Sequence, residues 1–272
     1  MSDGISVKKD APIGVFDSGV GGLTVILELI RQMPHESFIY YADTAHVPYG
    51  PRDPQELRMF ASSISEFLLN KGCKLIIIAC NTSTSLAYEE LSARFTQPFI
   101  GVIEPGVDKA LEITKNLKVG VIATTATTNS GAFQNMLRRK NPAVEVAAVP
   151  CPRFVPLVEK GQIEGDEVYE TAVGYLEPLK SKDIDSLILG CTHYPFLLPV
   201  IIKAIGPSIA VIDPARETVS RAKEKLEKLS LLNEQGNPSY QYYASGDPEA
   251  FRRIGSMFMG EDIGEVRGIN LD

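Results

Sequence analysis

The 272-residue sequence has no tryptophan, only three histidines and only four cysteines. The cysteines stand at positions 73, 80, 151 and 191 and include no CxxC pair, so they form neither a disulfide framework nor a zinc ligand set. The longest apolar run, Leu75–Cys80, is far shorter than the roughly 20 residues that span a membrane. Met1–Asp10 is polar and lacks the features of an export signal. We expect a cytoplasmic protein with reduced thiols, no membrane segment and no metal.

Basic charge is not in excess either. The chain has 27 Lys and Arg against 34 Asp and Glu, for a formal net charge of -7. Nucleic-acid grooves and anionic membrane surfaces are bound through clustered Lys and Arg, so we expect neither partner. The hydrophobic content of 44% and charged content of 22% are typical of a folded globular protein. A small molecule is therefore the expected ligand.

Short apolar runs alternate with longer amphipathic stretches along most of the chain. The runs predict strands at residues 12–17, 38–42, 74–79, 98–102, 118–123, 145–149, 185–190, 209–212 and, in the tail, 240–245. The stretches predict helices at 23–33, 54–70, 84–95, 107–115, 130–139, 166–180, 196–205 and 248–258. Such alternation builds mostly parallel sheets with helices on both faces. The sequence thus predicts a doubly wound α/β fold, with its ligand groups beyond the carboxyl ends of the strands.

An internal repeat divides this pattern into two halves. Lys74–Thr82 is similar to Asp185–His193, and Ile13–Ser18 is similar to Val119–Thr124. In the first pair, each copy reads as a strand, a cysteine, two polar residues and a helix. We predict two similar, pseudo-symmetric lobes, the first formed by residues 1–103 and 213–272 and the second by 104–212. The active site is expected in the cleft between the lobes.

The repeated cysteines, Cys80 and Cys191, suit a reaction that inverts a carbon bearing hydrogen. One base removes the proton from one face while a conjugate acid delivers another to the opposite face. A thiol, with a reference pKa of about 8.5, can supply either form near neutral pH. Hydroxyl and amide donors that could hold a substrate carboxylate and stabilise a carbanion also follow the strands, namely Ser18, Asn81, Thr82, Thr124, Thr127 and Thr192.

Six motifs carry a resemblance to a known family: Gly14–Gly22, Asp43–Arg52, Ala79–Thr82, Gly101–Gly106, Gly190–Pro195 and Asp213–Ala215. In order and spacing they resemble the glutamate racemases, within the cofactor-independent aspartate/glutamate racemase superfamily. The resemblance implies interconversion of L- and D-glutamate without pyridoxal phosphate or metal, supplying D-glutamate for bacterial peptidoglycan. A homodimer is compatible with it, although the residues do not decide the oligomeric state.

The resemblance also implies roles for individual residues. Cys80 and Cys191 correspond to the two catalytic thiols, Cys80 acting on the D-enantiomer and Cys191 on the L-enantiomer. Asp17, His193 and Glu159 correspond to groups that assist them. The positions implied to contact substrate are Asp17, Ser18, Pro48, Tyr49, Gly50, Asn81, Thr82, Thr124, Thr127, Thr192 and His193. The tail after Leu231 carries no motif.

Other interpretations of the same residues stay open. A cysteine hydrolase would use Cys191 as nucleophile and His193 as base, leaving Cys80 dispensable. A non-catalytic protein could bind an acidic amino acid with the same donors, and a racemase could act on aspartate. The glycine loop before Thr24 and the acid Asp43 also suggest a dinucleotide site, but Thr24 replaces the third glycine of that motif. Singly, each cysteine could be a buried thiol, Asp17 a turn cap and Glu159 an exposed helix end.

Overall fold

Two parallel β-sheets form the framework of the protein in a computed structural model that describes residues 8–271. The first sheet contains β1 (Ile13–Asp17), β2 (Phe38–Ala42), β3 (Leu75–Ile78), β4 (Phe99–Gly101), β9 (Tyr240–Ala244) and β10 (Val266–Gly268). The second contains β5 (Lys118–Ala123), β6 (Glu145–Pro150), β7 (Ser186–Gly190) and β8 (Ala210–Ile212). Residues 1–7 and 272, which belong to the predicted first lobe, lie outside the described residues.

The two sheets repeat one strand order. The first runs β10-β9-β2-β1-β3-β4 and the second β6-β5-β7-β8, with every pairing parallel. β1 is thus equivalent to β5 and β3 to β7, which are the pairs that the sequence repeat matched. The predicted fold of two similar α/β lobes is confirmed. The lobe boundaries at 103/104 and 212/213 stay a prediction.

Helices connect the strands: α1 (Leu23–Gln32), α2 (Pro54–Asn70), α3 (Asn81–Arg94), α4 (Ile103–Ile113), α5 (Thr125–Ser130), α6 (Ala132–Lys140), α7 (Phe154–Glu159), α8 (Asp166–Lys180), α9 (Leu198–Ile205), α10 (Ala215–Lys228) and α11 (Pro248–Met259). A short 3₁₀ turn, Tyr194–Leu197, precedes α9. No helix within residues 8–271 has the length and apolar character needed to cross a membrane.

Both faces of the first sheet are covered. Val15 and Ile77 point into one hydrophobic core, whereas the adjacent residues Phe16 and Ile78 point into another. Strands buried on both faces have no polar side to alternate with, which explains their nearly continuous apolar sequences. This burial leaves the loops beyond the carboxyl ends of the strands as the place for polar groups.

Several helices differ from the sequence prediction. α3 begins at Asn81 rather than residue 84, because Cys80 caps it by accepting a hydrogen bond from Ser83 N. α4 begins at Ile103 rather than residue 107, because Pro105 lies in the first turn, where its missing N–H costs no helical hydrogen bond. The prediction omitted four elements: α5, α7, α10 and β10.

The chain crosses between the sheets twice, once after β4 and once after β8. The two crossings are adjacent, since a Cβ placed at Gly106 would lie 2.9 Å from Pro214 Cγ. α4 then packs on β7 and β8 of the second sheet, whereas α10 packs on α1, β3 and β4 of the first. The last strands, β9 and β10, return to the first sheet beside β2.

A buried ion pair lies at the opposite end of the first sheet from the polar loops. Lys74 Nζ lies 2.6 Å from Glu36 Oε2, and both side chains are fully buried. Lys74 also donates to the carbonyl of Leu231, and Glu36 accepts from Asn233 N at 2.8 Å. Burial raises the pKa of Glu36 and lowers the pKa of Lys74. The pair therefore attaches the segment after α10 to the base of the sheet at a high desolvation cost.

We predict that Lys74→Met destabilises the protein, because it leaves the Glu36 carboxylate buried without its cation. The free energy of unfolding, measured by urea denaturation, should fall by about 3–5 kcal/mol. The matched control, Arg31→Met, breaks an exposed pair with Glu28 and should cost less than about 1 kcal/mol. Equal losses in the two variants would contradict the structural role of the buried pair.

Candidate active site

Cys80 and Cys191 lie at the carboxyl ends of equivalent strands, β3 and β7. Both are free thiols and both are buried, with exposed fractions of 4% and 5%. Thr192, next to Cys191, donates a hydrogen bond to Asp17, and the charges of Asp17 and Cys191 both contribute to the raised pKa of Cys80. The structure therefore brings the two repeated cysteines to one place from two different sheets.

The surroundings of Cys80 favour its protonated form. Its Sγ accepts a hydrogen bond from Ser83 N at 3.5 Å, and Tyr49 and Leu57 pack beside it. Burial, followed by the nearby negative charge of Asp17, raises the pKa of Cys80 to about 12. Cys80 is thus a thiol near neutral pH, with a proton to give.

Cys191 has a different neighbour, because its Sγ lies 3.7 Å from Nδ1 of His193. The other ring nitrogen of His193, Nε2, lies 2.6 Å from Oε1 of Glu159. Burial opposes the charged imidazole, yet hydrogen bonds to Cys191 and Glu159, and the charges of both, raise the pKa of His193 well above its usual range. Glu159 therefore holds a proton-carrying ring against Cys191.

Asp17, at the end of β1, connects the two sheets. Its Oδ2 accepts a hydrogen bond from Thr192 Oγ1 at 2.9 Å, and its Oδ1 accepts one from Gly19 N at 3.0 Å. Burial raises the pKa of Asp17, against the lowering effects of His193 and of these two hydrogen bonds. The residue thus caps its own turn, as one interpretation expected, and also contacts the second lobe.

Three threonine hydroxyls form a second connection. Thr82 Oγ1 lies 2.9 Å from Thr124 Oγ1 and 3.1 Å from Thr127 Oγ1, and the latter two lie 3.0 Å apart. Thr82 follows β3, whereas Thr124 and Thr127 follow β5 of the other sheet. Hydroxyl groups both donate and accept, so this cluster can rearrange its hydrogen bonds around an anion.

The remaining predicted contacts lie around Cys80, Asp17 and Thr124. Asn81 begins α3, and its buried Oδ1 has no hydrogen-bond partner within residues 8–271. Ser18 is buried beside Asp17. In the loop after β2, Tyr49 is buried next to Cys80 and Pro48 is exposed, while a Cβ placed at Gly50 would lie 3.4 Å from that of Thr124. The predicted residues are therefore brought together.

Some site contacts carried no sequence signal. Val20 N donates to Glu159 Oε1 at 3.0 Å, and a Cβ at Gly19 would overlap that same carboxylate. A Cβ at Gly21 would likewise overlap the His193 ring. The glycine loop is thus occupied by side chains of the second lobe, which explains its glycines without a bound pyrophosphate. Backbone donors such as Val20 N cannot be recognised from residue type.

Comparison with known proteins gives the family. The model of the Asp/Glu/Hydantoin racemase family matches residues 15–222. The chain belongs to the Asp/Glu/Hydantoin racemase family. It is 44% identical over 261 residues to the glutamate racemase of Corynebacterium glutamicum, covering 95% of each chain. The resemblance drawn from the sequence motifs is confirmed.

Solved racemase structures have the same fold. The glutamate racemase RacE1 of Bacillus anthracis matches with a TM-score of 0.93 and 36% identity, covering 97% of this chain and 98% of its own. The glutamate racemase of Francisella tularensis, solved in complex with D-glutamate, matches with a TM-score of 0.91 and 38% identity, covering 97% and 99%. The two-lobed fold is therefore that of solved members of the racemase family.

We predict that Glu159→Gln lowers the pKa of His193. The carboxylate and its hydrogen bond favour the imidazolium, so removing the negative charge makes proton loss easier. The three histidines allow the His193 signal to be assigned by comparison with His193→Gln and followed by NMR titration. The control, Glu167→Gln, removes a carboxylate that pairs with Arg153 on the surface. It should leave the midpoint of the His193 titration unchanged. If the two variants behaved alike, the Glu159 contact would not control His193.

Proposed function

We propose that the protein interconverts L- and D-glutamate by a two-base transfer of the α-proton. The observation that carries this proposal is the position of Cys80 and Cys191 on equivalent strands of two lobes that share one cleft. Membership of the racemase family and similarity to glutamate racemases along nearly the whole chain support the choice of reaction and substrate.

The proposed reaction moves one proton on each side of the α-carbon. In the L-to-D direction, the Cys191 thiolate removes the α-proton, and the electron pair stays on the carbon as a carbanion conjugated with the carboxylate. Cys80 then gives its thiol proton to the opposite face. The raised pKa of Cys80, about 12, supports this starting state, because its thiol is protonated. The D-to-L direction reverses these steps and begins with the proton on Cys191.

The thiols cannot carry the reaction alone, because an α-proton of an amino acid is much less acidic than a thiol. A positioned base contributes about 10²–10⁴-fold. The remaining stabilisation must come from donors directed at the substrate carboxylate. We assign this role to the hydroxyls of Thr82, Thr124, Thr127 and Thr192, to Ser18, and to the backbone amides that begin α3. The unpaired Oδ1 of Asn81 suits the substrate ammonium group.

The charged residues have distinct proposed roles. His193 exchanges a proton with Cys191, which its Nδ1 faces at 3.7 Å, and Glu159 orients the ring. Asp17 positions Thr192, and its charge adds to the effect of burial in raising the pKa of Cys80. Tyr49, with Pro48 and Gly50, closes the site beside Cys80.

The cellular role follows from the family resemblance. We propose that the D-glutamate supplies peptidoglycan synthesis and that the enzyme acts in the cytoplasm. A homodimer stays a prediction, which light scattering of the purified protein would test.

The proposed reaction predicts how each thiol contributes. The protein is incubated with L- or D-glutamate in deuterated water, and optical rotation and α-deuterium are followed together. The wild type should invert both enantiomers and incorporate deuterium. Cys80→Ala and Cys191→Ala should each lose racemisation by about 10²-fold or more, because one face of the carbon then lacks its proton carrier. Each variant should still exchange the α-proton of one enantiomer, Cys80→Ala that of L-glutamate and Cys191→Ala that of D-glutamate.

Cys73→Ala is the matched control. Cys73 is also buried, but it precedes β3, at the end of the strand away from the cleft, so racemisation should persist. Loss of racemisation in only one of the Cys80 and Cys191 variants would refute the two-base mechanism. Faster inversion of aspartate than of glutamate would refute the substrate assignment.

One geometric observation favours a second candidate function. Cys191, His193 and Glu159 form the order of contacts found in enzymes with a nucleophilic cysteine, a histidine base and an orienting carboxylate. A hydrolase of this kind would form an acyl intermediate on Cys191, detectable by mass spectrometry. It would remain active after Cys80→Ala, so the same variants distinguish the two functions.

We also predict that Asp17→Asn lowers the pKa of Cys80. Removing a negative charge near the thiol makes its thiolate less unfavourable, so the midpoint of ionisation should move to lower pH. The pH dependence of Cys80 alkylation, read by peptide mass spectrometry, measures this midpoint. The control is Glu90→Gln, because Glu90 is an exposed carboxylate on the same helix as Asn81. It should leave the ionisation midpoint of Cys80 unchanged. An unmoved midpoint in Asp17→Asn would show that the Asp17 charge does not reach the thiol.

A further inference from the structure

Asp43 is a buried carboxylate that the proposed mechanism does not use. It follows β2, and its side chain meets donors from three places in the chain. Oδ2 accepts from the Tyr49 hydroxyl at 2.5 Å, whereas Oδ1 accepts from Ser245 Oγ at 2.7 Å and lies 2.8 Å from His46 Nδ1. Its carboxylate is therefore bound to groups of the protein itself. This occupancy argues against the dinucleotide-site interpretation, in which Asp43 would bind a ribose.

Tyr49 connects this carboxylate to the catalytic centre. Its ring packs against Cys80 and Leu57. Burial, followed by the charge of Asp43, raises the pKa of the Tyr49 phenol well above its usual range, so the hydroxyl keeps its proton and donates it to Asp43. The next residue, Gly50, faces Thr124 of the second lobe. Whatever fixes the Tyr49 hydroxyl therefore fixes one wall around Cys80.

The C-terminal tail holds Asp43 from the other side. Ser245 directly follows β9, and its hydroxyl donates to Asp43 while accepting from Ala45 N at 2.9 Å. Gly246 N donates to Thr44 Oγ1 at 2.9 Å. The segment that begins with Asp43 is thus attached to the tail by hydrogen bonds at consecutive residues.

We propose that Asp43 is a positioning residue for the Cys80 half of the reaction, holding Tyr49 against that thiol, and that Ser245 anchors it from the tail. A carboxylate can accept from all three donors at once. An asparagine of the same shape would turn an NH₂ group toward at least one of them and leave buried donors unsatisfied. The inference rests on the proposed two-thiol racemisation.

The two thiols are supported by different residues, which makes the proposal testable. Cys191 depends on His193 and Glu159, whereas the Asp43 contacts reach only the Tyr49 side of the cleft. Disturbing Asp43 should therefore slow proton transfer at Cys80 and spare Cys191. The ratio of kcat/KM for the two enantiomers cannot report this, because the equilibrium constant of a racemase is one. Primary isotope effects can, because each enantiomer loses its proton to a different thiol.

The experiment measures deuterium isotope effects on kcat/KM with L- and D-glutamate labelled at the α-carbon. In Asp43→Asn, kcat/KM should fall by about 10-fold to 100-fold, the range for a lost charged hydrogen bond. The isotope effect should rise for D-glutamate, because its deprotonation by Cys80 becomes slower. It should fall for L-glutamate, because reprotonation by Cys80, which follows deprotonation by Cys191, becomes rate-limiting. His193→Gln, acting on Cys191, should move the two isotope effects in the opposite sense.

Two further variants complete the test. Ser245→Ala keeps the Asp43 charge and should shift the isotope effects in the same sense as Asp43→Asn, with a loss of about 2-fold to 10-fold. It decides the question if Asp43→Asn fails to fold. Tyr243→Phe, which removes a hydroxyl bonded to Gln241 on β9, should match the wild type.

Unchanged isotope effects, equal changes for both enantiomers, or a shift in the sense of His193→Gln would overturn the proposal. A wild-type protein that does not racemise glutamate would refute the proposed function instead. The two failures are therefore distinguishable.

Discussion

The site depends on hydrogen bonds that cross the cleft at the carboxyl ends of the strands. Asp17 accepts from Thr192, Thr82 meets Thr124, and Val20 N binds Glu159. Each joins a residue that ends or follows a strand of the first sheet to one that follows a strand or ends a helix in the second lobe. These contacts fix the ends of the two sheets against each other, and with them the positions of the residues beside Cys80 and Cys191.

The backbone is nearly symmetric at this place, but its chemistry is not. Both cysteines end equivalent strands, yet one faces a helix N-terminus and a tyrosine, and the other a protonated histidine backed by a carboxylate. A chain of L-amino acids cannot form two half-sites that are mirror images of each other. The two faces of the substrate α-carbon therefore meet different groups. The two directions have equal kcat/KM because the equilibrium constant is one and both proton transfers occur in each direction. The groups on the two sides need not be identical.

Much of this arrangement could be predicted from the sequence. The strands were predictable because burial on both faces leaves continuous apolar runs, and the repeat around Cys80 and Cys191 indicated equivalent strands. α10 was missed although Ala215, Val219 and Ala222 carry its apolar face, because the helix is otherwise highly polar. β10 is only three residues long and mostly exposed, which leaves almost no pattern to detect. Backbone donors and the Ser245 contact depend on tertiary packing, and residue type alone does not specify them.

The adjacent crossings at Gly106 and Pro214 have a mechanical consequence for a site so deeply buried. Two connections in contact act as a single hinge. We therefore expect the lobes to open by a hinge rotation rather than by a shear motion. Because the thiols are only 4% and 5% exposed, we expect substrate to reach them when this opening breaks the contacts across the cleft. We then expect the free energy of those few hydrogen bonds to set how often substrate enters.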